Sequence, residues 1–327
     1  MWKLLLAILF LLAAFSPVSA QELKMAVEFN THAACAYVAL DKGFYEKEGL
    51  KIKGYEAYMT GVALAAALTK GDIDAAYMCF VPALNAFANA SCPIKAILGT
   101  HFYGYGLVVD PKKVRELRDL ERRDVKIACL REGTAADAFM LRTLEKTKID
   151  ERSILPKVLR VNPVAAIGAI RTKRVDTAFL PEHWASLVED YGMKMLLESK
   201  DVWDYRIGSV LVVKEELLRK DPGVVRRLAL ATKKATIWMN AHPSEASRIV
   251  AKYLSIEAER ASLAERIDGT DSLDIPPETV GRSMSRLEYR NDLEERQVQD
   301  LIDFVYKKGY LKRPVRASEF VDFGLLR

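Results

Sequence analysis

The sequence has little that would commit it to metal, nucleic-acid or covalent chemistry. Only four cysteines occur in 327 residues, Cys35, Cys79, Cys92 and Cys129. Their spacings match no metal-ligand pattern. An oxidising compartment would permit bridges, and Cys79 with Cys92 is the first pair to test. Yet Cys79 and Cys129 lie in apolar, strand-like runs, where a thiol packs as a small hydrophobe, so buried free thiols are expected. Charge of one sign is scarce as well: 49 Lys+Arg against 44 Asp+Glu leave a net +5. That excess is too small and too dispersed for a nucleic-acid partner. No Gly-x-Ser-x-Gly, no His-Glu-x-x-His and no phosphate loop ending in Lys is present. Gly104-Tyr105-Gly106 is too short for a dinucleotide fingerprint, and Glu46 with Glu48 belongs to an exposed turn. The expectation is a chain with no catalytic residues, no cofactor and no metal.

Long apolar runs are confined to the N-terminus. Lys3 precedes the run Leu4 to Phe15, and Val18-Ser19-Ala20 supplies small residues before Gln21. This is the order of a secretion signal cleaved after Ala20. The run is shorter than the ~20 residues that span a bilayer. No Cys follows it, so a lipid anchor is not indicated. The mature chain is expected to be exported and monomeric. Half of the residues are hydrophobic, which is ample for two ordinary cores.

Strand and helix signals alternate along the first 200 residues. Leu23 to Phe29, Leu50 to Tyr55, Ile73 to Met78, Ile94 to Gly99 and Gly106 to Val109 read as strands. Helical patterns at Ala33 to Lys47, Gly61 to Lys70 and Pro82 to Ala90 separate the first four, which implies crossover units and a parallel sheet. Asp110-Pro111 breaks the pattern, and a second unit repeats it with strands at Val125 to Leu130, Lys157 to Val161, Val175 to Leu180 and Met193 to Leu197. The β-branched run Ile207 to Val213 is placed to return the chain to the first unit. From Lys214 onward the pattern is mainly helical. The two units share a local phrase: Asp74 and Asp176 each stand just before a small-residue strand.

The stretch Ala39-Leu40-Asp41-Lys42-Gly43-Phe44-Tyr45-Glu46-Lys47-Glu48-Gly49-Leu50 joins a helix end, a turn and a strand start. It resembles the signature of NMT1/THI5-like solute-binding proteins, the nitrate, sulfonate and thiamine-pyrimidine family that delivers small molecules to ABC importers. The resemblance implies an α/β, two-lobed, type II periplasmic-binding-protein-like fold with a helical C-terminal region. It implies one lobe from residues 21–110 plus 209–327, a second from 111–208, and hinges near Val109 and Val210. It implies a periplasmic location and, as partners, a small-molecule ligand and the permease and ATPase of an importer. Two alternatives stay open: a pyrimidine-precursor synthase-like enzyme, whose Cys-rich motif is echoed only by Cys79-Phe80, and a binding domain that feeds a sensor.

In such sheets ligands bind beyond the carboxyl ends of the strands, near helix N-termini. That rule collects Asn30 and His32 after the first strand, Thr60 and Gly61 after the second, and Met78 and Phe80 at the third. In the second unit it collects Glu132 and Thr134, Asn162, and Glu182 with Trp184. Free amides at Thr60-Gly61 and Gly133-Thr134 could hold an acidic or carbonyl oxygen. Tyr37, Phe80, Tyr103, Tyr105 and Trp184 could wall the site. Asn30-Thr31-His32 with Tyr37 resembles the thiamine-pyrimidine branch, and Pro181-Glu182 resembles the family's helix start. His32 and Glu182 are expected to face each other across the cleft. With no clear inward Arg pair, these choices favour a heteroaromatic or amine-bearing ligand over a bare inorganic anion, and the resemblance implies a thiamine-pyrimidine-like compound or a sulfonate.

Overall fold

The computed structural model describes residues 21–265 and 275–325. The expected signal segment therefore lies outside the described residues. Two sheets organise the chain. The first holds β1 (Gln21–Glu28), β2 (Leu50–Tyr58), β3 (Ala75–Cys79), β4 (Ile94–Tyr103), β10 (Ile207–Lys214) and β11 (Leu287–Glu288), in the order β11-β4-β10-β3-β1-β2. The second holds β5 (Tyr105–Val109), β6 (Ile127–Cys129), β7 (Val158–Arg160), β8 (Thr177–Pro181) and β9 (Lys194–Glu198), in the order β7-β6-β8-β5-β9. Strands β2, β1 and β3 are mutually parallel, as are β7, β6 and β8. The central strands β3 and β10 are buried almost throughout, which is why they read as unbroken apolar runs.

The chain changes sheet twice. The first crossover is Tyr103-Gly104-Tyr105, and β5 pairs with β8 and β9 of the second sheet. This precedes the boundary expected near Val109. Strand β5 is as apolar as any strand of the first sheet, so composition does not mark the change; Asp110-Pro111 only ends β5. Gly104 has φ 81°, and a Cβ there would stand 2.9 Å from the His32 ring, so the crossover needs glycine. The return runs through residues 199–206. Strand β10 then joins the sheet of β1, one strand removed, as its β-branched composition led us to expect.

The paired aspartates explain the repeated phrase. Asp74 accepts the Lys24 amide at 2.9 Å while its own amide donates to Lys24 O at 2.9 Å. Asp176 makes the same reciprocal pair with Lys126, at 2.9 and 2.8 Å. Each pins the entry of one parallel strand to its neighbour, once per sheet. The expected helix from Ala33 to Lys47 is two helices, Ala34–Asp41 and Phe44–Lys47, broken where Gly43 turns left-handed at φ 66°. Helices Gly61–Lys70 and Pro163–Arg171 start where Thr60 and Asn162 cap them. The C-terminal helices Pro222–Ala241 and Pro243–Glu265 pack on Ala34–Asp41 of the first unit.

Candidate functional site

The carboxyl ends of the two parallel strand sets face each other. Between them lies a cleft of ≈ 760 Å³. Its polar lining is Thr60, Arg131, Thr134, Arg160 and Asn162; Met59, Leu130, Val161 and Val164, with short alanines, make an aliphatic wall. Among the described residues no acidic side chain lines it, although Glu132 lies 4.0 Å from Arg160. Three helices start at its edge, capped by Thr60, Thr134 and Asn162. Their positive ends favour negative charge in the space between them. Arg131 is exposed, with no ion-pair partner among the described residues. Arg160 is tied down: it pairs with Asp137 and donates to Leu130 O at 2.9 Å.

A narrower floor continues inward from Thr60, Leu130 and Thr134, which line both spaces. It is bounded by Glu28, Gly61, Cys79, Tyr105 and Pro181 and has a volume of ≈ 10 Å³. Glu28 ends β1 and is buried. Its Oε2 accepts the Cys79 amide at 2.9 Å, and the Gly61 amide and Asn30 side chain also donate to it. Burial pushes its carboxyl up and these donors pull it back. A Cβ on Gly61 would meet Glu28 Oε2 at 2.9 Å and Pro82 Cγ at 2.8 Å, so the close approach depends on glycine.

Cys79 Sγ lies 3.0 Å from Tyr105 Oη and 3.5 Å from His32 Nδ1. That geometry invites comparison with a nucleophile and base, but the electrostatics point the other way. Burial, then the charge of Glu28, pushes the thiol well up. Burial lowers His32 to about 3. A neutral thiol beside a neutral imidazole is not an activated pair. All four cysteines are buried and free, as expected, and Cys79 is not bridged to Cys92. Among the described residues no group of His, Cys, Asp or Glu could hold a metal ion.

The expected site residues divide. Thr60, Thr134 and Asn162 line the cleft, and Gly61 lines its floor. Their polar atoms are largely spent locally: Thr60 accepts from Ala63 N at 3.3 Å, Thr134 from Asp137 N at 3.3 Å and Asn162 from Ala165 N at 2.8 Å. The Gly61 amide that was expected to be free favours the charged form of Glu28. Glu132 stands outside, on an adjoining ≈ 520 Å³ recess. Asn30 caps the turn Thr31–Ala33 by accepting from His32 N at 3.0 Å. Tyr37 is stacked on Tyr253 at 5.5 Å, Phe80 packs edge-on to Phe320 at 5.4 Å, and Met78 is buried in β3 opposite Val210. Trp184 is buried against Phe29 and His183. These four belong to cores. Of the aromatics proposed as walls, Tyr105 alone reaches the floor.

His32 and Glu182 do not face each other across open space. Both meet the Gly104 carbonyl, His32 through Nε2 at 2.8 Å and Glu182 through its amide at 2.9 Å. The Glu182 side chain turns to Ser186, 2.8 Å away, and to Arg286 at 3.6 Å. Burial raises its carboxyl to about 7, with Arg286 opposing. Both residues therefore brace the crossover. Beside them Arg206 is fully buried, its guanidinium 3.9 Å from the Tyr105 ring centroid and donating to Ala135 O at 2.5 Å.

Sequence reasoning missed the charged members. Arg131 and Arg160 both line the cleft, Arg131 exposed and Arg160 paired with Asp137. Each follows or ends a short strand of the second sheet, and position at a strand's carboxyl end was the available signal. Glu28 was legible in the same way, as an acid closing the apolar strand Met25-Ala26-Val27.

Comparison with known proteins fits this architecture. Residues 16–255 match the NMT1-like family. The chain belongs to that family. It is 24% identical over 225 residues to a protein named as a binding protein in Brucella abortus (strain 2308), covering 67% of each chain. Among solved structures, the alkanesulfonate-binding protein SsuA from Xanthomonas axonopodis pv. citri, bound to MOPS, aligns with TM-score 0.73 at 18% identity, covering 92% of this chain and 98% of that one. The periplasmic nitrate-binding protein NrtA from Synechocystis PCC 6803 aligns with TM-score 0.73 at 15% identity, covering 94% and 87%. These likenesses establish the two-lobed periplasmic-binding-protein fold for this NMT1-like chain.

Proposed function

We infer that this NMT1-like protein captures a small organic anion in the cleft between its sheets and presents it to a membrane importer. The observation that carries the reading is the lining: Arg131 and Arg160, three helix starts, no acid, and an aliphatic wall. A charged head held by guanidinium and helix ends, with an apolar body against the wall, satisfies every part of it. The alkanesulfonate-binding relative handles that chemistry. The nitrate-binding relative handles a bare anion, which would leave the aliphatic wall unused. The heteroaromatic ligand suggested by the sequence loses support, because Tyr37, Phe80 and Trp184 are packed in cores. The neutral state of Cys79 and His32 supports capture over turnover.

The two sheets are taken as lobes that close about the crossovers at Gly104 and at residues 199–206, and ligand stabilises the closed state by binding it more tightly. Export to the periplasm, a monomeric state, and an importer's permease and ATPase as partners complete the proposal. Among the described residues no helix is long and apolar enough to cross a membrane. A thermal-shift screen of short alkyl sulfonates and carboxylates, inorganic nitrate and aminopyrimidines tests the ligand class. An organic anion at ~100 times its dissociation constant should add ~2.7 kcal/mol of stability. Stabilisation by aminopyrimidines alone would overturn the reading.

A further inference from the structure

The cleft and its floor offer different groups to a ligand. Among the described residues the outer space is lined by two arginines, Arg160 paired with Asp137 and Arg131 unpaired, and by no acid. The floor is lined by a buried carboxyl, Glu28. Glu28 occupies the inner anion seat itself: its Oε2 takes the Cys79 amide at 2.9 Å, and the Gly61 amide at the start of helix Gly61–Lys70 also points to it. A ligand anion driven to the floor would find those donors spent and a carboxylate in their place. The anionic head is thereby confined to the Arg131 side, and the group that reaches inward must donate a hydrogen bond. The floor is also small. Its ≈ 10 Å³ is about the room of one water-sized group, too little for a ring.

We propose that Glu28 is a specificity-determining residue that selects organic anions carrying a hydrogen-bond donor, an ammonium or a hydroxyl, at the end remote from the acid. This rests on the organic-anion reading of the same cleft. Arg131 and the helix starts hold the head, the aliphatic wall covers the spacer, and a Glu28 carboxyl oxygen accepts from the tail. A carboxyl oxygen shielded from water discriminates against a tail that cannot donate, because the oxygen is then left facing a methyl group with no hydrogen-bond partner.

The test is titration calorimetry on the full mature chain with matched series of alkyl, ω-hydroxyalkyl and ω-aminoalkyl sulfonates of equal length. The wild-type chain should bind one or both of the donor-bearing series at least roughly tenfold tighter than the alkyl series. Which series gains more separates hydroxyl from ammonium. Glu28→Gln keeps an oxygen for the Cys79 amide and should erase most of an ammonium preference. Equal affinity for all three series in the wild-type chain would overturn the inference without any variant, and so would an undiminished ammonium preference in Glu28→Gln. Failure of every series to bind the wild-type chain would overturn the organic-anion reading and this inference with it.

Discussion

Glu182 shows how a residue chosen for a ligand can serve the scaffold. Its carboxyl, buried between Ser186 and Arg286, is raised from 4.5 to about 7. Between those values the folded chain keeps a proton that the unfolded chain releases, so this group's contribution to stability falls as pH rises through the window. Glu182→Gln has no such dependence. The stability of the wild type relative to Glu182→Gln should therefore decline from about pH 5 to about pH 8, by on the order of 3 kcal/mol. Parallel urea-unfolding profiles for the two proteins would refute the assignment. Thr60, Gly61, Thr134 and Asn162, which line the cleft or its floor, were legible because capping chemistry is local. Tyr37, Phe80 and Trp184 misled because an aromatic side chain suits a core as well as a ligand wall, and one sequence does not say which. Arg131, Arg160 and Glu28 stand in no motif; only the facing of two sheets brings them together.

At the scale of elements, most strands and helices were legible because buried parallel strands and capped helices leave distinct patterns. The misplaced crossover has a physical cause: Gly104 is required by φ and by the His32 ring, neither of which is visible in composition. The aspartate repeat was visible, and its purpose is now clear. Asp176 is buried, holds the Lys126 amide and pairs with Lys113 at 2.8 Å. Asp74 holds the Lys24 amide in a more exposed setting. Asp176→Ala should cost about 1–3 kcal/mol and Asp74→Ala less, as read by chemical denaturation. The reverse order would refute this reading of the pair. Gly61→Ala should also destabilise, by about 1–3 kcal/mol, since its methyl meets Pro82 and Glu28 at under 3 Å. An unchanged midpoint would mean that helix Gly61–Lys70 can withdraw from Glu28 freely.

For the whole molecule, the two units meet on both sides of the cleft. Near the crossovers, Arg282 pairs with Asp190 at 2.5 Å and Arg286 with Glu189 at 2.8 Å. On the other side Asn85 Nδ2 donates to Gly133 O at 3.0 Å, Tyr310 bonds Asp137 and Lys308 pairs with Glu151. Removing Arg282 and Arg286 together should favour the open form, seen as a larger radius of gyration by small-angle scattering without ligand and a return to the compact value with it. An unchanged radius would show that these pairs do not govern closure.

The central claim is that Arg131 holds the head of an organic anion in the cleft. Calorimetric titration of wild type and Arg131→Gln with the tightest-binding sulfonate or carboxylate tests it most directly. Arg131 is exposed and has no ion-pair partner among the described residues, so its replacement should leave folding intact. The account predicts saturable binding to the wild type and an affinity at least roughly tenfold weaker in Arg131→Gln. Equal affinity in the two proteins would contradict it.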